Sequence, residues 1–138
     1  MMMTIKHYSN RILIADDDPV IRHLVTSIVR KLGYTPVILN DGREACRLLN
    51  ADADFKAAIL DMSMPYLAGL DLIRHMRTEK RLMRIPVMLI TAEPDLKLVA
   101  DSFSAGATAY LPKPFTPDQL QAALRMLLSA NTPTSRVA

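Results

Sequence analysis

Five short apolar runs recur along the chain, at residues 12–15, 36–39, 57–60, 87–90 and a shorter 108–111. Each has strand length, and several are rich in β-branched residues. A strand with one wet face alternates apolar and polar residues, so near-continuous apolarity predicts cover on both faces. Between the runs lie helical patterns. Val20, Ile21, Leu24, Val25, Ile28, Val29 and Leu32 fall on one helical face, with Asp18 and Pro19 suited to the N-cap and first helical positions. Gly33 can end that helix in the left-handed conformation. Ala45, Leu48 and Leu49 predict a second helix, and Leu67, Leu70, Ile73 and Met76 a third. Leu96, Val99, Ala100 and Phe103 predict a fourth, stopped near Gly106, and Leu120, Ala123, Leu124 and Leu127 a fifth.

Strict alternation, five times over, predicts an α/β fold. It is a single doubly wound (βα)5 domain with a five-stranded parallel sheet and helices on both faces. A chain of 138 residues suffices for one such core. In open parallel sheets the working site lies beyond the carboxyl ends of the strands, which turns the linear sequence into a site. "RILIADDDPVIRHL" puts Asp16, Asp17 and Asp18 at the end of the first strand. Asp61 follows the third in "AAILDMSMP", Thr91 and Ala92 the fourth in "MLITAEP", and Lys113 the fifth in "AYLPKPF".

Adjacent carboxylates repel and resist burial unless something compensates them. Asp18 is placed to cap a helix, which leaves Asp16, Asp17 and Asp61 over. Each residue taken singly has an ordinary structural use, as a cap, a strand-end threonine or a surface lysine. Their joint appearance at successive strand ends does not. Converging carboxylates call for a counter-charge, and Mg²⁺ fits: it takes oxygen ligands, needs few carboxylates and retains waters. A carboxylate beside it is a competent nucleophile toward phosphorus. Lys113 can pair with one phosphoryl oxygen and Thr91 can hydrogen-bond another. The set reads as a phospho-acceptor aspartate site.

With these motifs in place, the chain closely resembles the receiver domain of two-component response regulators, the family that includes the chemotaxis regulator. The resemblance spans residues 11–128. It rests on the acidic pair after "LIA", on "LDMSMP", on "TA" after an apolar run and on "YLPKPF". It implies a flavodoxin-like receiver fold with Asp61 as the phosphorylated residue. It implies that Asp16 and Asp17 hold Mg²⁺ together with Asp61 and the backbone carbonyl of Ser63. It makes Thr91 the switch hydroxyl, Ala92 the small residue that gives it room, and Tyr110 the aromatic that reports the phosphorylated state. Lys113 becomes the family's lysine, its bond to Pro114 expected to be cis. Without metal, one of the carboxylates should carry a raised pKa or the loop should move.

Function in such a family is a population shift rather than turnover, so no enzyme beyond assistance to its own phosphorylation is expected. The signal would leave through the face formed by the fourth helix, fifth strand and fifth helix. The expected partners are a histidine kinase or histidine phosphotransfer protein and a downstream output protein, with a monomer or a phosphorylation-dependent dimer. One position departs from the usual pattern and two vary within it. Ala68-Gly69 stands where Asp-Gly is common, and Ser63 and Glu93 flank the site where phosphate lifetime is tuned.

Composition narrows the alternatives. One cysteine, Cys46, allows no internal disulfide and suits a reducing cytosol. No apolar run is long enough to span a bilayer, and "MMMTIKHYSN" lacks the core of a secretory signal, so a cytoplasmic protein is expected with no membrane contact. The net charge of +3 is spread along the chain, with one denser stretch, "RHMRTEKRLMR". That stretch reads as a solvated helix end and loop, the alternative being a docking surface for an acidic partner. Direct nucleic-acid binding is not expected. The methionines (Met62, Met64, Met76, Met83, Met88) read as core filler. Residues 1–10 read as an extension and residues 129–138 as a disordered tail or the start of a linker. A stand-alone receiver is favoured over one cut from a larger regulator. A phosphohydrolase of the haloacid dehalogenase type would want an Asp where Ser63 stands. A flavodoxin-like cofactor binder would want a Ser/Thr/Gly-rich loop where Asp16 and Asp17 stand, and a docking pseudo-receiver would lack part of the acidic set.

Overall fold

The computed structural model describes residues 9–92 and 95–129. Glu93, residues 1–8 and the tail residues 130–138 lie outside them. The five expected strands are β1 (Arg11–Ala15), β2 (Thr35–Leu39), β3 (Ala57–Asp61), β4 (Val87–Thr91) and β5 (Ala109–Pro112). They alternate with α1 (Pro19–Lys31), α2 (Gly42–Ala51), α3 (Gly69–Thr78), α4 (Leu96–Ala105) and α5 (Pro117–Ser129). All pairings are parallel, in the order β2-β1-β3-β4-β5. The chain therefore reverses its direction of winding between β1 and β3, and a crevice opens above that point.

Side chains on a strand point alternately to opposite faces, and that splits the apolar strands into two cores. Leu13, Ala15, Ala58, Leu60, Val87 and Leu89 pack with α2, α3 and the inner side of α4. Ile12, Ile14, Ala57, Ile59, Met88 and Ile90 pack with α1 and α5. Met62, Met64, Met76 and Met88 are buried filler as expected, while Met83 is exposed. Asp18 caps α1, its carboxylate accepting from Val20 N at 2.9 Å. Gly33 and Gly106 carry positive φ just past α1 and α4, as expected of helix-ending glycines. α5 runs one residue past the expected boundary at Leu128.

Two helix faces differ from expectation. Val20, assigned to the inner face of α1, is 74% exposed. It sits in the first turn, above the sheet edge. In α4 most of the apolar stripe stands in solvent: Leu96 is 88% exposed, Phe103 47%, and Ala100 is exposed, while Val99 is half-buried. The inner face is formed by Leu98, Ser102 and Ala105. Ser102 is fully buried because its hydroxyl donates to Leu98 O at 2.8 Å, so a polar residue is accommodated where periodicity placed none.

The stretch "RHMRTEKRLMR" is largely structural. The Arg77 guanidinium donates to three backbone carbonyls: Gly106 O at 2.7 and 3.2 Å, Met83 O at 3.0 Å and Ile85 O at 3.0 Å. It fastens α3 to the loop entering β4 and to the end of α4. Arg81 and Arg84 donate to Asn50 O and Ala53 O at the carboxyl end of α2, where cations suit the helix dipole.

Two stability outcomes follow from these contacts. Arg77→Ala strips three carbonyls of their donors and lowers unfolding free energy by about 2–4 kcal/mol in urea titration, with Arg77→Lys recovering only part. α3 opens on Ala68, which supplies no side-chain cap. Ala68→Asp raises stability by about 0.5–1 kcal/mol, measured the same way.

Candidate phospho-acceptor site

The carboxyl ends of β1, β3, β4 and β5 converge on one crevice. Asp16 follows β1 directly and is buried. Its Oδ1 accepts from Asp18 N at 2.8 Å, a local turn that fixes the loop. Its Oδ2 is buried with no hydrogen-bond partner among the described residues. Asp17 is exposed beside it. Asp61, the last residue of β3, is buried, and its Oδ1 accepts from Ser63 N at 3.2 Å. One oxygen from each of Asp16, Asp17 and Asp61 lies within 4.8 Å of the others.

Lys113 answers these charges from the fourth side. Its Nζ stands 3.8 Å from Asp16 Oδ2 and 3.8 Å from Asp61 Oδ2. The backbone holds it there: Lys113 N donates to Thr91 O at 2.7 Å, and the Lys113–Pro114 peptide is cis. Thr91 ends β4 and is buried, in register with Pro112. Ala92 is exposed next to it. Tyr110 lies on β5, half-buried, with its hydroxyl oxygen buried and without a hydrogen bond among the described residues. Burial raises its pKa, and the charge of Asp95 adds to the shift.

One ammonium does not balance the crevice. Burial pushes the Asp61 carboxyl up to about 6, and the neighbouring Asp16 charge pushes the same way against Lys113 and the Ser63 N–H. Asp16 is also raised, again by burial first, with the Asp18 N–H and Lys113 opposing. The expectation of a raised carboxylate is met at two positions rather than one. An all-oxygen donor set, a buried carboxylate oxygen without a partner and excess negative charge together fit a hard divalent cation such as Mg²⁺.

Asp16, Asp17, Asp61, Thr91 and Lys113 lie together at one sheet edge, as strand-end counting requires, while Glu93 lies outside the described residues. Two contributors escaped the sequence. Arg22 donates to Asn40 Oδ1 at 2.9 Å and, at the limit of hydrogen-bond length, to Asp16 O at 3.4 Å, tying the acidic loop to the loop after β2. Gly69 donates to Met62 O at 3.1 Å, and a Cβ there would sit 2.6 Å from Asp61 O. The loop after Asp61 can fold back this tightly only with glycine at that position. The glycine is visible in the sequence; the contact partner is not.

Comparison with known proteins agrees with this geometry. Residues 12–125 match the family described as response regulator receiver domain. Chemotaxis protein CheY1 of Helicobacter pylori is 36% identical over 122 residues, covering 88% of this chain and 98% of that protein. The chemotaxis response regulator CheY4 of Vibrio cholerae superposes with a TM-score of 0.80 at 28% identity, over 87% of this chain and 99% of that one. The receiver domain of the sensor histidine kinase PA1611 from Pseudomonas aeruginosa superposes with a TM-score of 0.77 at 28% identity, over 88% and 98%, and carries a magnesium ion in its active-site cleft. With the sheet order, the acidic crevice and the sequence match in agreement, the chain belongs to the response regulator receiver domain family of two-component signalling.

Proposed function

We propose that this chain is a phosphorylation-dependent switch in which Asp61 accepts a phosphoryl group from a histidine kinase or histidine phosphotransfer protein. The observation that carries this reading is the convergence of Asp16, Asp17 and Asp61 on one point with Lys113 Nζ 3.8 Å from two of them. Asp16, Asp17, Asp61 and the Ser63 carbonyl would hold Mg²⁺. When bound, the ion neutralises charge and polarises a phosphoryl oxygen.

The chain's own groups supply the rest. A carboxylate oxygen of Asp61 attacks phosphorus as the P–N bond of the donor phosphohistidine breaks. With the other ring nitrogen of the donor protonated, the imidazole leaves neutral with the bonding pair, and an acyl phosphate remains. Lys113 pairs with a phosphoryl oxygen and the Thr91 hydroxyl donates to another, so charge that grows in the transition state meets donors already in place. Ala92 leaves room for Thr91 to turn inward, and Tyr110 follows. Ser63 and Glu93 tune the lifetime of the phosphate.

The output face is formed by α4, β5 and α5. Its support is the exposed stripe of α4: Leu96 and Phe103 stand in solvent with Met126 of α5, where a partner can cover them. A stand-alone receiver spanning residues 11–128 is favoured, since CheY1 matches over 98% of its own length. The alternative, a receiver belonging to a larger regulator or kinase, has a counterpart in the PA1611 domain. A cytoplasmic location accords with the lack, among the described residues, of any helix long and apolar enough to cross a membrane. A downstream protein, rather than nucleic acid, reads the switch, as a monomer or a phosphorylation-dependent dimer.

Acetyl phosphate with Mg²⁺ adds one phosphoryl group to the wild type by intact mass. EDTA or Asp61→Asn abolishes the adduct. Labelling that persists in Asp61→Asn would remove Asp61 from its assigned role.

A second outcome concerns pH. In the metal-free fold the Asp61 pKa of about 6 lies above its unfolded value. Between the two the folded state binds more protons, so Asp61 lowers stability as pH rises through that window and its full penalty is present above about 6. Metal-free Asp61→Asn therefore melts higher than wild type at neutral pH, and the gap closes toward about pH 4. Added Mg²⁺ raises the wild-type melting temperature and raises that of Asp61→Asn far less.

A further inference from the structure

A row of arginines runs along α2, on the side of the sheet away from α1 and α5. Arg43 and Arg47 stand one turn apart and are exposed. Arg81 and Arg84 continue the row past the carboxyl end of the helix, each anchored by one N–H on Asn50 O or Ala53 O and otherwise exposed. Several carboxylates on or beside α2 are already engaged. Glu44 accepts from Asn40 N, Asp41 caps the helix through Glu44 N, Asp52 is held by Arg11, and Asp71 pairs with Arg74. Among the described residues no carboxylate is ion-paired with Arg43, Arg47, Arg81 or Arg84.

Beside it lies a groove of about 380 Å³ lined by Arg43, Cys46, Arg47, Asn50, Tyr66 and Leu67. Tyr66 is 73% exposed, holds a positive φ of 72° and lies against the Arg43 guanidinium at 4.1 Å from the ring centroid. Stacking on the ring pre-orders the cation while leaving its edge donors open. The groove floor is apolar and its rim is arginine, so it suits a chain that brings carboxylates and some apolar contact.

We propose that this face, formed by α2, the loop after β3 and the segment after α3, docks an acidic polypeptide segment. Arginines one helical turn apart have a pitch of about 5–6 Å, near the ~7 Å between alternate side chains of an extended strand. A nucleic acid is the poorer fit. Tracking a phosphate backbone takes many fully available cations, whereas Arg81 and Arg84 are each partly committed to backbone carbonyls and Tyr66 has one face taken by Arg43. The groove wall also belongs to the loop that carries Asp61. A Cβ on Gly42, at the start of α2, would overlap the Leu67 carbonyl oxygen, so α2 and that loop are packed backbone to backbone.

The test needs no phosphorylation. The full ¹⁵N-labelled chain is titrated with octaglutamate and, separately, with an oligothymidylate of equal length, each followed by amide and arginine Nε–H shifts. Octaglutamate is expected to shift Arg43, Arg47, Tyr66 and Arg81 selectively. Arg43→Glu with Arg47→Glu weakens its binding by about tenfold or more, and Lys97→Glu on α4 leaves it within about twofold. Arg47→Gln, which removes one charge without reversing it, gives an intermediate loss and serves if the double variant loses its dispersed spectrum. Shifts scattered over every basic residue, none at millimolar peptide, or tighter oligothymidylate binding at the same residues would overturn the proposal.

Discussion

Everything at the sheet edge answers to one electrostatic constraint: among the described residues, three carboxylates share a crevice with a single ammonium. Two unit charges near 4 Å interact with about 4 kcal/mol at an effective dielectric near 20. Lys113 makes two such approaches, at 3.8 Å to Asp16 and to Asp61. The carboxylates repel each other on the same scale, and burial adds to the cost. The raised pKa values of Asp16 and Asp61 record that the balance is unfavourable without a further cation. A site in this condition gains from anything that brings positive charge. Poor local stability and chemical readiness here have the same origin.

The rest of the fold tolerates this stress because backbone, not side chains, sets the positions. Asp16 is fixed by its own turn, Asp61 by the last bond of β3 and the Ser63 amide, and Lys113 by its amide on Thr91 O. Beneath them the two apolar cores clamp the sheet from both sides. Arginines then close the joints that the cores leave open. Arg77 spans three carbonyls between α3, β4 and α4, and Arg22 links two loops at the site's rim. A guanidinium suits such joints because its donors are planar and divergent, so one side chain satisfies several orphan carbonyls at once.

The sequence made the site legible because a parallel sheet converts strand ends into neighbours. Asp16, Asp17, Asp61, Thr91 and Lys113 could be located by counting apolar runs, with no knowledge of strand order. Strand order itself was not legible: nothing local in residues 36–39 says that β2 is an edge. The face of α4 was misread for a specific reason. Periodicity records where apolar side chains lie, not whether they face the core or a partner, and Leu96 and Phe103 obey the period while standing in solvent. Ser102 then hid the true inner face by satisfying its hydroxyl within the helix. The arginines were legible as charge but not as joints, since their acceptors are backbone carbonyls many residues away.

The apolar stripe of α4 and the arginine row of α2 point outward in different directions. The stripe on α4 adjoins β5, and through it Tyr110 and the Lys113–Thr91 backbone bond. The arginine row on α2 adjoins the loop after β3, whose far end is fixed to Asp61 through Gly69 and Met62. Each surface thus meets the crevice through a different strand end. The same Asp61 carboxylate faces Lys113 on one side and accepts from the Ser63 amide at the start of the loop on the other. An apolar stripe selects by shape and buried area, while a cationic row selects by charge and weakens with salt. Surfaces of such unlike chemistry do not compete for one partner. On the proposed readings, a receiver carrying both would hold an acidic protein on α2 while α4 stayed available to the protein that reads its state.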